Sequence, residues 1–129
     1  MEGNFAKNDL REYYFLETGA KVYNFRKKMG CNMRYFVVEI IYTAPSKEVE
    51  AVRPMHREFL QSGYDTGKLL VSGPKPTGDG GIVIAKDESE DYVKNFFLND
   101  PYNLQGLAEY RFIEFKPMSH QYFLKDWLS

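Results

Sequence analysis

Residues 34–42, RYFVVEIIY, decide the fold of this chain. β-Branched and aromatic side chains dominate the segment, as is typical of a strand in the interior of a sheet. The apolar side chains fall at both odd and even positions, so neither face of this strand is predicted to meet water. The segment is therefore predicted to be a central strand, with partner strands beside it and a covering layer on each face.

The next segment of the chain predicts a helix with a break near its start. Residues 43–46 end the strand, and Ser46 can cap the helix that begins after it. Proline lacks an N–H group and disfavours helical geometry in the preceding residue. We therefore predict a short lead-in turn, then a main helix that has Pro54 at its first position and ends at Gly63 or Gly67. The apolar positions with helical spacing are Val49, Val52, Phe59 and Leu60.

The remaining segments complete a β-α-β-β-α-β order. Residues 68–73 and 81–86 predict an antiparallel pair of strands joined by a loop rich in glycine and proline. Residues 88–98 place aromatic side chains at helical spacing behind an acidic first turn, and residues 107–116 alternate as a last strand. This order predicts an α+β, ferredoxin-like split β-α-β fold, with a four-stranded antiparallel sheet and both helices on one face.

The second face of such a sheet is left open by the two helices. Because the first and third strands are apolar on both sides, this face is predicted to pack against another sheet. A homodimer with two sheets face to face is the economical solution. The aromatic tail at 118–129, which holds the only tryptophan, Trp127, is a candidate to lie across this contact.

Composition limits the number of domains and the classes of partner. A chain of 129 residues fits one domain, which we place at 33–117. Residues 1–32 show no sustained period and are interpreted in two ways: an extension, flexible or non-native, or an arm that packs its aromatic side chains on a partner subunit. With 17 basic and 18 acidic residues, the chain is not expected to bind nucleic acid.

Location and metal binding can be addressed from single residues and short runs. No apolar run approaches the ~20 residues that a membrane span needs, and the N-terminal residues lack the apolar core of a signal peptide. The single cysteine, Cys31, allows no intramolecular disulfide and no zinc site with paired cysteines. His56 and His120 lie far apart, so no metal site is predicted. A cytoplasmic location is the expectation.

His56 is the first candidate for chemistry. Its spacing from Val52 and Leu60 places it on the inward stripe of the predicted helix. If Pro54 begins the helix, His56 is the third residue, and the positive helix end would favour the neutral imidazole that can act as a base. A half-buried histidine satisfied by a backbone carbonyl explains the same spacing.

Asp100 is the second candidate. Asn99-Asp100-Pro101 is ordinary turn chemistry, in which an aspartate bonds its own local backbone. In the split β-α-β arrangement, however, the start of the first helix and the end of the second lie at the same end of the sheet. His56 and Asp100 can then meet, and the carboxylate would fix one ring nitrogen while the other moves a proton.

Four segments together carry a resemblance to a known family: 52–56 (VRPMH), 67–74 (GKLLVSGP), 99–102 (NDPY) and the strand at 110–117. Over residues 33–117 the chain resembles the YCII-related, or YciI-like, family. The resemblance implies a dimeric α/β-barrel and an active site whose histidine and aspartate map by motif onto His56 and Asp100. It also links the chain to muconolactone isomerase-like and dehydrochlorinase-like enzymes, which act on small cyclic or aromatic metabolites.

Three further residues are candidates for substrate binding. Ser72 ends the second predicted strand beside a glycine-rich turn, where its hydroxyl could reach a ligand. Arg53 and Tyr102 flank the two motif residues and could bind a carboxylate or a ring oxygen. Local packing or capping explains each of the three as well.

Three functional hypotheses remain open from the sequence. The first is a cofactor-independent isomerase or lyase, in which neutral His56 moves a proton on a small, anionic, unsaturated or cyclic metabolite and Asp100 orients it. The second is a non-catalytic ligand-binding or regulatory module on the same dimeric scaffold, a version of which would hold haem through His56. The third is an interaction protein that works through its leader and tail.

Overall fold

The computed structural model describes residues 13–15, 21–23 and 32–129. The chain divides into two compact units, Met1–Asn32 and Met33–Ser129. In the first unit, strands β1 (Tyr13–Phe15) and β2 (Lys21–Tyr23) pair antiparallel. Most of this unit lies outside the described residues, so the two interpretations of residues 1–32 stay predictions.

The second unit contains one four-stranded antiparallel sheet, with strand order β4-β5-β3-β6. This α+β arrangement confirms the ferredoxin-like fold predicted from the sequence. The elements are β3 (Arg34–Tyr42), α1 (Ser46–Asp65), β4 (Leu69–Pro74), β5 (Gly80–Asp87), α2 (Glu90–Leu98), α3 (Pro101–Leu104), β6 (Ala108–Phe115) and a 3₁₀ turn (Tyr122–Leu124).

The core lies between the sheet and the helices. Alternate residues of β3 point into it, and the helices present their apolar stripes from the other side. Burial of these side chains removes apolar surface from water, which is the main stabilising term in folding. The most buried members of the core are Phe36, Val38, Val49, Val83, Phe97 and Tyr102.

Helix α1 corrects the predicted break at Pro54. The helix is continuous for 20 residues and contains Pro54 in its interior. An internal proline costs about 3 kcal/mol, but buried side chains at helical spacing hold both halves of α1 against the sheet. The predicted cap is also wrong, because Ser46 is the first helical residue and Pro45, which makes no side-chain cap, precedes it. The buried stripe consists of Val49, Val52, His56, Leu60 and Gly63.

The open face of the sheet is apolar with one charged cluster. The strand registers place the partly exposed side chains of Val37, Ile113 and Phe115 on this face. Near its middle, the Glu39 carboxylate accepts hydrogen bonds from Lys75 Nζ at 2.7 Å and Arg111 Nη1 at 2.9 Å. We call this group the Glu39 cluster (Glu39, Lys75 and Arg111).

The C-terminal tail is anchored on the same open face. The Trp127 ring lies 5.7 Å from that of Tyr35, and its Nε1–H donates to the carbonyl of Gly67 at 2.9 Å. Tyr35 Oη donates to the carbonyl of Leu128 at 3.0 Å. Lys86 Nζ donates to the carbonyl of Trp127 and lies 4.7 Å from its ring centroid. The tail therefore packs on the sheet of its own chain; its position across a dimer contact stays a prediction.

Candidate active site

His56 lies in the middle of α1, on the side that faces the core. Only 8% of the residue is exposed, which agrees with the predicted inward stripe. It lies ten positions after Ser46, the first residue of the helix. The dipole at a helix end acts only within the first turn, so the expectation that a nearby helix start keeps His56 neutral is wrong.

Asp100 is fully buried, with 0% exposure, and its carboxylate accepts three hydrogen bonds. Oδ1 faces His56 Nδ1 at 2.8 Å and accepts the backbone N–H of Tyr102 at 3.0 Å. Oδ2 accepts the hydroxyl of Tyr110 at 2.7 Å. The bond to Tyr102 is also the N-terminal cap of α3. One oxygen of Asp100 therefore bonds the local backbone, as is ordinary for an aspartate in a turn. The same side chain holds the histidine.

The short helix α3 explains why the two residues meet. Asp100 precedes it, and α3 packs against α1. The contact therefore forms at the middle of α1. It does not form at the start of that helix, where the topology alone had predicted it.

The hydrogen bond fixes the tautomer of His56. A carboxylate can only accept, so in the neutral imidazole Nδ1 carries the hydrogen and the lone pair is on Nε2. Among the described residues, Nε2 has no hydrogen-bond partner, and 11% of the His56 side chain remains exposed. Nε2 is thus the atom able to take a proton from a bound molecule.

Tyr102 holds the plane of the imidazole. Its ring stacks on His56 with centroids 4.1 Å apart and an angle of 14° between the planes. The residue is 1% exposed, so the stack is held by the core around it. Together, the stack and the hydrogen bond to Asp100 leave His56 little freedom to rotate.

Tyr110 is a residue of the site that the sequence did not single out. It lies on β6, and its hydroxyl reaches the Asp100 oxygen that His56 does not use. Burial, and then the neighbouring Asp100 carboxylate, raise the pKa of Tyr110, so its hydroxyl remains a donor. One signal was available: the alternation of β6 puts Tyr110 on the core side with Phe112, and a phenol there needs a polar partner.

The structure separates the predicted substrate-binding residues. Arg53 and Tyr102 lie beside His56, Arg53 one helical turn before it and Tyr102 stacked on its ring. Ser72 instead shares a 2.6 Å hydrogen bond with the hydroxyl of Tyr64. No contact among the described residues joins Ser72 to the His56–Asp100 pair, so the geometry gives no support for it as a ligand-binding residue.

Metal and membrane sites were also sought in the described part of the chain. There, no three or more His, Cys, Asp or Glu side chains are grouped to hold a metal ion. Of the helices in that part, none has both the length and the apolar character needed to cross a bilayer.

Comparison with known proteins settles the family. The family model described as the YCII-related domain matches residues 33–116. The chain belongs to the YCII-related family. Protein YciI of Escherichia coli O6:H1 is 36% identical in an alignment that covers 46% of this chain and 71% of that protein. Protein YciI of Shigella flexneri gives the same values.

A solved structure shares the fold of this family member. It is 5-chloro-2-hydroxyhydroquinone dehydrochlorinase from Burkholderia phenoliruptrix, in complex with 2,5-dihydroxybenzoquinone. The two proteins are 26% identical, with a TM-score of 0.53, over 67% of this chain and 95% of the dehydrochlorinase. The ligand in that dehydrochlorinase structure is a small ring compound.

Proposed function

We propose that this YCII-related protein is a cofactor-independent enzyme of the isomerase or lyase kind, which transfers a proton on a small cyclic or aromatic metabolite. His56 is the base and Asp100 is the residue that orients it. One observation carries the proposal: a buried carboxylate holds Nδ1 of His56 at 2.8 Å, while Nε2 has no partner among the described residues. The similarity to a dehydrochlorinase supports the class of substrate.

The geometry suits proton transfer at Nε2. When Nε2 takes a proton from the substrate, positive charge develops on the imidazole beside the Asp100 carboxylate, which stabilises it. In an isomerase the proton returns to a different atom of the substrate. In a lyase the electron pair of the broken bond expels a leaving group, and the imidazolium gives its proton to water.

Substitution of His56 tests the base. We expect His56→Gln to lower kcat/KM by about 100-fold or more, the usual contribution of a general base, and to leave the fold intact by circular dichroism. Chloride release from 5-chloro-2-hydroxyhydroquinone is the first assay, followed by absorbance assays on other hydroxylated quinones and on unsaturated lactones. His120→Gln is the matched control, because His120 is exposed in the tail and should keep full activity.

Two results would contradict the enzyme proposal. Turnover that survives in His56→Gln would exclude His56 as the base. Saturable binding of 2,5-dihydroxybenzoquinone, with no turnover of any compound in the panel, would instead support the alternative of a non-catalytic ligand-binding or regulatory module. The cytoplasmic location stays a prediction from composition.

We also propose that the protein is a homodimer through its open sheet faces. The partly exposed side chains of Val37, Ile113 and Phe115 support this, because two such faces would bury apolar surface that one chain leaves in water. We expect a dimer mass by light scattering. Ile113→Glu should shift it to a monomer, whereas Lys47→Glu, an exposed change on α1, should not. A wild-type monomer would exclude the proposal.

A further inference from the structure

Arg53 is a cation with no carboxylate partner among the described residues. It lies on α1 one turn before His56 and is partly buried. No carboxylate within the described part of the chain forms an ion pair with it, although most of the lysine and arginine side chains around the sheet have one. A guanidinium offers five N–H donors in a planar fork that matches a carboxylate or a phenolate.

Two phenol groups interact with this guanidinium. Interaction with the hydroxyl of Tyr42, and more weakly with that of Tyr102, raises the pKa of Arg53. A guanidinium has five N–H donors, more than two hydroxyls can engage, so part of the fork stays available to a ligand. The rings of Tyr42 and Tyr102 meet edge to face, with centroids 5.5 Å apart.

Among Arg53, Tyr42 and Tyr102, it is Tyr102 whose hydroxyl lacks a hydrogen-bond partner in the described part of the chain. Its residue is 1% exposed, and its buried hydroxyl has no hydrogen-bond partner among the described residues. Burial first, and then the Tyr42 hydroxyl, raise the pKa of Tyr102 to about 12, so the phenol stays a neutral donor. A buried donor left without an acceptor costs free energy unless a partner arrives.

The position of the cluster ties it to the base. One face of the Tyr102 ring stacks on His56. The hydroxyl of Tyr102 interacts with Arg53 and Tyr42. A planar molecule with an oxyanion at this cluster would therefore bind next to the imidazole.

We propose that Arg53, Tyr102 and Tyr42 form an anion-binding subsite, and that the substrate carries an ionised oxygen there, either a carboxylate or a phenolate. This inference rests on the proposed function for the adjacent base, His56. Arg53 provides charge and a pair of parallel donors, Tyr102 provides a preformed donor, and Tyr42 confines the guanidinium. The subsite sets specificity: it accepts the ionised form of a ring compound over its neutral isostere.

Binding of matched ligand pairs to the full chain tests the subsite by isothermal titration. For a phenolate, the pair is 2,5-dihydroxybenzoquinone and its neutral dimethyl ether; for a carboxylate, it is benzoate and benzamide. In one of the two pairs, we expect the wild-type protein to bind the anion with at least tenfold higher affinity than the neutral compound. That pair shows whether the ionised oxygen of the substrate is a phenolate or a carboxylate. No preference in either pair would overturn the proposal.

Variants assign the preference to these residues. We expect Arg53→Gln to abolish the preference, Arg53→Lys to retain part of it because a point charge replaces the fork, and Tyr102→Phe to weaken anion binding several-fold. Arg57→Gln is the matched control: it removes the same charge from an exposed position of the same helix and should leave the preference unchanged. Equal losses in Arg53→Gln and Arg57→Gln would show a general charge effect and contradict the subsite.

The two proposals fail in different ways. If the anion preference depends on Arg53 but no compound is turned over, the subsite stands and the enzyme proposal falls. If turnover depends on His56 but the Arg53 variants bind anionic and neutral ligands as the wild type does, the enzyme proposal stands and the subsite falls.

Discussion

Asp100 and Glu39 are two carboxylates on opposite sides of one sheet, and their hydrogen-bond partners differ in kind. Asp100 is fully buried and is held by a backbone N–H, a phenol and an imidazole. The Glu39 side chain keeps 22% exposure and is held by a lysine and an arginine. Of these partner groups, the imidazole is the kind that most often transfers protons in general acid–base catalysis.

This difference separates the proposed site for chemistry from a structural ion cluster. Permanent cations fix the charge balance around Glu39, so nothing there responds to a bound molecule by moving a proton. Around Asp100, the Tyr102 N–H and the Tyr110 hydroxyl hold the carboxylate in place, and the proposed role of the third partner, His56, is to take a proton at Nε2. Substitutions on the two sides should therefore differ in both size and kind of effect.

The largest effect is expected from Asp100→Ala. Removal of the carboxylate leaves the Tyr102 N–H, the Tyr110 hydroxyl and His56 Nδ1 without their acceptor in a buried site. We expect the free energy of unfolding to fall by about 3 kcal/mol, because each buried unsatisfied donor costs about 1–3 kcal/mol and local relaxation recovers part of this. Urea denaturation followed by circular dichroism measures the loss.

Asp100→Asn is the control variant that keeps the shape of the side chain and removes its negative charge. Its amide oxygen can still accept from His56, and the Tyr110 hydroxyl can rotate to accept from the amide nitrogen. We expect less than half the destabilisation of Asp100→Ala. Equal losses in the two variants would mean that the negative charge of Asp100, rather than its hydrogen bonds, holds this region.

An intermediate effect is expected from Tyr110→Phe, which removes one donor from Asp100 and keeps the ring. A hydrogen bond to a charged group contributes about 1.5–3 kcal/mol, so we expect a loss near the lower limit. If Tyr110 positions the catalytic pair, kcat should fall while KM stays close to the wild-type value. Tyr122→Phe, in the exposed tail, should change neither stability nor kcat; a Tyr110→Phe variant with wild-type stability and kcat would exclude the positioning role.

The smallest effect is expected from Glu39→Gln, and it should depend on pH. Hydrogen bonds from Lys75 and then Arg111 hold the pKa of Glu39 below its ordinary value of 4.5. A carboxyl group with a depressed pKa stabilises the folded state above its unfolded pKa and loses this contribution as the pH falls through the folded value.

The wild type should therefore exceed Glu39→Gln in stability at pH 7, and the gap should shrink as the pH drops below 4.5. Added salt should shrink it as well. Urea midpoints across this pH range measure the gap. A difference that stays constant down to low pH would show that Glu39 acts through packing rather than charge.

Much of the fold could be predicted from local pattern. The first strand of the sheet, Arg34–Tyr42, was placed at its observed bounds, because its composition has no competing interpretation. The break at Pro54 was predicted from the local effect of proline on helix geometry, and tertiary packing overrides that effect. Burial of Val49 and Val52 before the proline, and of His56 and Leu60 after it, keeps the helix continuous.

The site was predictable in part. His56 was placed on the inward stripe by spacing, and the topology placed Asp100 close to it. The third contact, from Tyr110, depends on a register of β6 that no local pattern fixes. The hydrogen bond of Ser72 to Tyr64 likewise depends on how α1 and β4 pack, and no local pattern predicts that packing.

The anchored tail gives this protein an optical property of its own. The chain has a single tryptophan, and Trp127 lies on the open face against Tyr35 and Lys86. Indole fluorescence therefore reports whether the tail is docked, whereas far-ultraviolet circular dichroism reports the sheet and helices. A fluorescence transition at lower urea than the circular dichroism transition would show that the tail detaches before the domain unfolds.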